Sequence, residues 1–322
     1  MKQQKSVYLS LARVVAAFAV IMMHVNANCF YELNFDACWP VANFIECFFS
    51  FSVPVFIMIS GATLLDYSKR YSTKEFFKRR VPKLLIPYVF WSLLSYILDV
   101  PTLFIYYFMV YLFGVYLCMP LFTYIKDEYK ETIITYVVVL AFILNYLLPF
   151  LCAVIGIEYY YKLPFDLAGG FLIYALIGYL LHNKDFKRNQ RIIIYLIGIL
   201  GFALHIGGTY FASVEVGEMV SIYKEYKNVP CMLSAIGVYV FIKQIGMHLK
   251  NERIIRFIEW LSGYSFSIYL VHQFVIVLVI QKVFTHSHTL IYKLTMPFLT
   301  IAISILIIWI VRKIPVLRKV LS

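Results

Sequence analysis

The sequence predicts an all-α integral membrane protein, a bundle of about ten transmembrane helices with both termini in the cytoplasm, and three observations lead there. Of its 322 residues 62% are hydrophobic and 14% charged, with a mean hydropathy of +0.80, whereas a soluble domain carries about 25% charged residues. The apolar residues fall in ten continuous segments, each long enough at about 1.5 Å per residue to cross or nearly cross a hydrocarbon core about 30 Å thick. Basic residues gather in alternate linkers between them. The segments lack the alternation of outer-membrane strands, which makes the spans helical. With no linker, low-complexity tract or repeat, residues 1–322 read as one transmembrane domain.

The expected spans run over 7–30, 41–65, 81–98, 101–124, 132–152, 166–182, 191–212, 229–249, 263–284 and 290–311. The first follows the basic start MKQQKSVYLSLARVV. Arg13 interrupts its long apolar stretch and no small-residue cleavage site follows, so it reads as a retained span. In the second, FSFSVPVFIMISGATLL, Pro54 breaks the helical ladder and Ser60-Gly61 lets another backbone approach closely; helix packing alone explains such small residues as often as function does. Glu46, earlier in that span, calls for a cationic or hydrogen-bonding partner. The third holds Pro82 and Pro87 and meets the fourth through the short DVPT turn, a pattern that suits one tight helical hairpin. The sixth, FLIYALIGYLLHNK, follows Gly169 and Gly170 and reads as helix packing, with His182 at the inner surface. GYSFSIYLVHQF in the ninth places Tyr269 and His272 three residues apart on one helical face.

Orientation comes from the linkers. Lys69, Arg70, Lys74, Lys78, Arg79, Arg80 and Lys83 crowd the link between spans two and three; Lys184, Lys187, Arg188 and Arg191 crowd that between six and seven. Lys250, Arg253 and Arg256 precede span nine, and Arg312, Lys313, Arg318 and Lys319 follow span ten. All share the side of the N-terminus, which the positive-inside rule assigns to the cytoplasm. The net charge of +12 is therefore a topology signal, and it gives no reason to expect nucleic acid as a partner.

Arg13 and His24 are the most informative residues. Eleven positions apart in one span, they project from one face about 16 Å apart along the axis. Ionisable residues in hydrocarbon usually point into a bundle or wet cavity and mark function. Arg13 could instead snorkel to the surface, which the shorter His24 does poorly. The positions place His24 in the outer half of the membrane and Arg13 nearer the cytoplasm.

Two readings stay open for EFFKRRVPKLLIPYVFW. It is an ordinary inside linker, or its cations Arg79, Arg80 and Lys83 grip a phosphorylated cytosolic ligand, since guanidinium groups bind phosphate bidentately. The six cysteines are scattered without a CxxC pair, so neither a metal site nor a redox motif is expected. Cys29 and Cys38 flank the first exterior loop, where a disulfide is conceivable.

Taken in order, these stretches resemble the acyltransferase 3 family of membrane O-acyltransferases. The resemblance rests on an arginine and a histidine separated by ten residues in span one, then SVPVFIMISG, KRRVPKLLIPY, YFMVYLFGVYLCMP and the closing SIYLVH, over about residues 8–310. It implies a ten-helix bundle that transfers an acyl group, usually acetyl, from cytosolic acyl-coenzyme A to a hydroxyl of a surface glycan or its lipid-linked precursor, in a bacterial-type plasma membrane. It also implies that His24 is catalytic with Arg13 as its pair, that Arg79, Arg80 and Lys83 bind the acyl donor, and that Tyr269 and His272 belong to the end motif. No metal or permanently bound cofactor is implied. Where many members carry a tryptophan-containing LWFL-like run, this chain has Tyr106-Tyr107-Phe108-Met109, so the aromatic lining survives in altered form, with Tyr107 among the residues expected to line the pocket beside Glu46 and Ser60. The residue types also suit a transporter of polysaccharide intermediates, or a membrane partner that keeps the fold without the chemistry; the first predicts pseudo-symmetric halves, which the sequence lacks.

Overall fold

A computed structural model describes residues 2–32, 38–159, 170–284, 289–315 and 317–321, and the regular structure among them is helical, with no strand. Among the described residues nine helices are long and apolar enough to cross a membrane. The sixth expected span corresponds to a shorter apolar helix, Leu172–Asn183; its expected beginning lies outside the described residues.

The bundle is organised around the first helix. α1 (Lys2–Tyr31) packs against α2 (Trp39–Phe49), α3 (Ser52–Leu64), α11 (Val229–His248), the short α12 (Glu252–Ser262), α13 (Ser265–Val275) and α15 (Leu290–Val311). It can do so because its inward positions Ala12, Ala16 and Ala19 are small and fully buried, letting neighbouring backbones come close where no hydrophobic force drives association.

The second span is one crossing made of two helices, α2 and α3, interrupted at Ser50 and Phe51. Pro54 explains the break, because a proline ring clashes with the carbonyl four residues earlier, here that of Ser50. Farther along α3, Gly61 meets α8 (Leu172–Asn183) so closely that a Cβ would stand 1.8 Å from the Ala175 carbonyl oxygen, and a Cβ at Gly178 of α8 would stand 2.1 Å from that of Met58. Close helix packing therefore accounts for the small residue at position 61.

α4 (Thr73–Leu98) begins eight residues before the expected start of the third span, capped by the Ser72 hydroxyl, which accepts from the Glu75 amide. It continues through Pro82 and Pro87, as membrane helices can when neighbours compensate the missing bonds. It forms the expected hairpin with α5 (Leu103–Thr123), turned by Asp99 in a left-handed conformation and tied by Thr102 Oγ1 donating to Ser95 Oγ at 2.6 Å. Besides α11 and α15, the further crossings are α6 and α7 (Asp127–Phe142, Leu148–Val154), α9 and α10 (Arg188–Ala203, Thr209–Val216), and α13 with α14 (Gln281–Val283), each of these three joined through one π-helical turn. Such turns are often found at functional sites, and two of these three lie near the cavity that holds His24.

α12 is an element beyond the expected spans. Its sequence ERIIRFIEWLS leaves Ile254, Phe257 and Trp260 exposed beside Arg253 and Arg256, the pattern of a helix lying in the plane of a membrane interface. No disulfide joins Cys29 to Cys38; instead Lys293 Nζ lies 2.9 Å from Cys29 Sγ and donates to the Cys38 carbonyl at 3.3 Å.

Candidate active site

Two cavities lie along α1. One, of about 550 Å³, takes Ser10 and Arg13 from α1, Ser60 from α3, Arg80 and Lys83 from α4, and Tyr269 from α13. The other, of about 780 Å³, takes His24 and Asn28 from α1, Glu46 from α2, Tyr107 from α5, Lys224 from the loop before α11, and Gln273 from α13. Arg13 and His24 thus project into separate chambers, because eleven residues of helix carry them about 16 Å apart.

Between the chambers stands His272. Its Nδ1 donates to the Tyr269 carbonyl at 2.7 Å, and its Nε2 lies 2.6 Å from His24 Nδ1, with the ring centroids 4.9 Å apart and the planes 12° from parallel. In the neutral pair one tautomer follows. His272 spends its only N–H on the carbonyl, so its Nε2 accepts from His24 Nδ1–H, and His24 Nε2 is left with a free lone pair. The frame is rigid. Tyr269 donates to the Ile105 carbonyl at 2.6 Å while Tyr106 donates to the Leu270 carbonyl at 2.7 Å, which ties α5 to α13 in both directions. The three-residue spacing of Tyr269 and His272 on one helix face puts their rings 5.9 Å apart.

In the Arg13 chamber, Arg80 and Lys83 share one face of α4. Arg80 lies close enough to Arg13 to act on its charge, and its Nε has no hydrogen-bond partner. Glu259 is the acid among the lining residues, and Tyr116 stands within electrostatic reach of both guanidinium groups. Ser60 lines this chamber while donating to the Phe56 carbonyl at 3.2 Å. Arg79 does not join them. One position earlier on the helix, it turns to the exposed face, where it pairs with Glu75 at 2.6 Å and stacks over Tyr71.

The His24 chamber supplies the partner that Glu46 calls for. Lys224 Nζ lies 3.2 Å from Glu46 Oε1 and donates to Tyr31 Oη at 2.5 Å. Both charged side chains are nearly enclosed, 13% and 4% exposed. Burial alone lowers the Lys224 pKa, but Glu46 and Tyr31 outweigh it and hold the ammonium above its ordinary value. Glu46 Oε2 is left without a partner. Tyr107 lines this chamber, its ring 6.4 Å from that of Tyr226.

Lys224, Gln273 and His205 are site residues that sequence reasoning missed. Lys224 sits in SIYKEYKN, a polar stretch that reads as an exterior loop, and nothing local announces its burial. Gln273 follows His272 directly and was the available signal. His205, fully buried in the π turn Leu204–Gly208, lies with Nδ1 3.2 Å from Ser50 Oγ, which itself lines the chamber, and its Nε2 has no partner. His182 is bonded to the Tyr8 hydroxyl at an α1–α8 contact. Among the described residues no group of three or more His, Cys, Asp or Glu side chains is arranged to hold a metal ion.

Residues 6–312 match a family model described as an acyltransferase domain. No curated protein and no solved structure matches the chain.

Proposed function

The chain belongs to the acyltransferase 3 family, and from that premise we propose that it is an O-acyltransferase of the plasma membrane, moving an acyl group, in the simplest case acetyl, from cytosolic acyl-coenzyme A to a hydroxyl of a cell-surface polysaccharide or its lipid-linked precursor. The basic linkers support an orientation with the Arg13 chamber toward the cytosol. Arg13, Arg80 and Lys83 then receive the phosphates of the donor, as guanidinium and ammonium groups do wherever phosphate is held. An extended pantetheine arm is long enough to cover the distance from Arg13 to His24. Arg79, engaged by Glu75, has no part in this.

At the far end of that arm His24 Nε2 acts as general base. The acceptor hydroxyl oxygen bonds to the thioester carbonyl carbon as its proton passes to Nε2. The tetrahedral intermediate then collapses, the C–S bond breaks, and the departing thiolate takes the proton back from His24. A sugar hydroxyl is a poor nucleophile, and a positioned base contributes about 10²- to 10⁴-fold. His272 fixes the tautomer that leaves Nε2 free, and accepts from the imidazolium that forms.

The observation that carries this reading is the place of the His24–His272 pair, with His24 open to one chamber and the residue that orients its partner, Tyr269, lining the other. Purified wild-type protein and His24→Ala, assayed with labelled acyl-coenzyme A, test it. Transfer is expected to be lost in the variant with membrane expression intact; an unchanged rate refutes the assignment.

A further inference from the structure

The two chambers differ in charge. Arg13, Arg80 and Lys83 face the first against the carboxylate of Glu259, which draws an anion. Around the second stand two acids, Glu46 and Glu225, and two lysines, Lys224 and Lys227. Glu46 and Lys224 are already paired at 3.2 Å. Among the described lining residues no net charge remains to offset a carboxylate or phosphate brought out of water, and an uncompensated buried anion is costly.

Two atoms tell what the second chamber takes instead. Glu46 Oε2 and Gln273 Oε1 are buried without a hydrogen-bond partner, although both side chains line the chamber. Both atoms are acceptors, and Glu46 is 3% exposed. Buried polar atoms in folded proteins are nearly always satisfied, so these two accept from whatever fills the chamber, and a ligand that enters it must bring donors. Aromatic rings complete the lining, among them Tyr111 and Phe171 with centroids 4.5 Å apart. A sugar ring meets both demands. Its hydroxyl edge donates to the two oxygens, and its C–H face, slightly positive, rests on the negative faces of the aromatic rings.

We propose that this chamber is an acceptor site selective for a neutral, hydroxyl-rich sugar residue over an anionic one. Glu46 and Gln273 take its hydroxyl protons in hydrogen bonds, and Lys224 keeps Glu46 charged and in place. The inference rests on the acyl-transfer reading above and specifies its acceptor.

The test uses the full chain in lipid nanodiscs with radiolabelled acetyl-coenzyme A. Probe acceptors are the p-nitrophenyl glucoside, galactoside and mannoside, set against the matching glucuronide and galacturonide. The best neutral probe is expected to exceed the best uronide about ten-fold or more in kcat/KM. Gln273→Met removes one acceptor atom at similar size, and it raises KM for the neutral probe about ten-fold while KM for acetyl-coenzyme A stays put. Glu46→Gln leaves Lys224 unpaired, and it shifts the preference toward uronides by about ten-fold. Equal or better use of the uronides by the unaltered protein overturns the inference, as does an unchanged sugar KM in Gln273→Met. Release of coenzyme A with no probe labelled overturns the acceptor inference alone; the absence of any release overturns the acyl-transfer reading with it.

Discussion

Removing His272 is the perturbation whose outcome the geometry predicts most closely. In the ground state its Nε2 accepts from His24 Nδ1–H at 2.6 Å. Once His24 has taken the acceptor's proton, the same bond has an imidazolium as its donor, and a hydrogen bond to a charged group is worth about 1.5–3 kcal/mol. The neutral ground-state bond, worth about 0.5–1.5 kcal/mol, is lost as well, so only the difference of about 1–1.5 kcal/mol acts on kcat, roughly a 5- to 12-fold fall at about 1.4 kcal/mol per decade. His272→Ala is therefore expected to fall within this range with the KM for acyl-coenzyme A unmoved, because the donor's phosphates are proposed to bind in the other chamber. His272→Gln can again accept from His24 Nδ1–H through its side-chain carbonyl, and it should recover most of the loss. Steady-state transfer of label from acetyl-coenzyme A to a sugar probe in nanodiscs measures both. A wild-type rate in His272→Ala, or a glutamine variant as slow as the alanine one in equally folded protein, refutes the relay.

Arg80→Ala should raise the KM for acyl-coenzyme A about 10-fold or more through loss of a charge-assisted contact, whereas Arg79→Ala, whose pair with Glu75 is exposed, should change it less than about two-fold; comparing the two KM values checks the division of labour. Lys224→Met leaves Glu46 buried and unpaired and should destabilise by about 3–5 kcal/mol, read as a lowered unfolding midpoint in detergent, and adding Glu46→Gln should restore much of it. Gly61→Val drives a side chain into the Ala175 carbonyl and should abolish the monodisperse peak in size-exclusion chromatography, while Cys118→Ser, on a half-buried cysteine outside both chambers, should leave it intact.

What the sequence made legible follows from the solvent. In hydrocarbon an ionisable side chain stands out, so Arg13, His24, Glu46 and His272 could be found by reading alone, and all four are inward-facing in the bundle. The positions of the spans were legible for the same reason, except where helix length departs from apolar length: α4 runs ahead of its apolar segment because its first two turns are basic, and the second span divides where Pro54 crowds Ser50. Lys224 was hidden because a loop's burial depends on how it folds over the bundle, which no local pattern records. The separation of Arg13 from His24 into two chambers was hidden for a related reason. A shared helix face fixes direction, but the helices packed against that face decide whether one cavity or two opens along it. Arg79 differs from Arg80 only by helical phase, which the charge run KRR conceals.

The central claim is that His24 is the base at the meeting of a donor chamber and an acceptor chamber. Single-turnover transfer by His24→Ala, in protein whose binding of acyl-coenzyme A is unchanged, tests it most directly. The account predicts donor binding as in the wild type and a transfer rate lower by about 10²- to 10⁴-fold; transfer at the wild-type rate contradicts it.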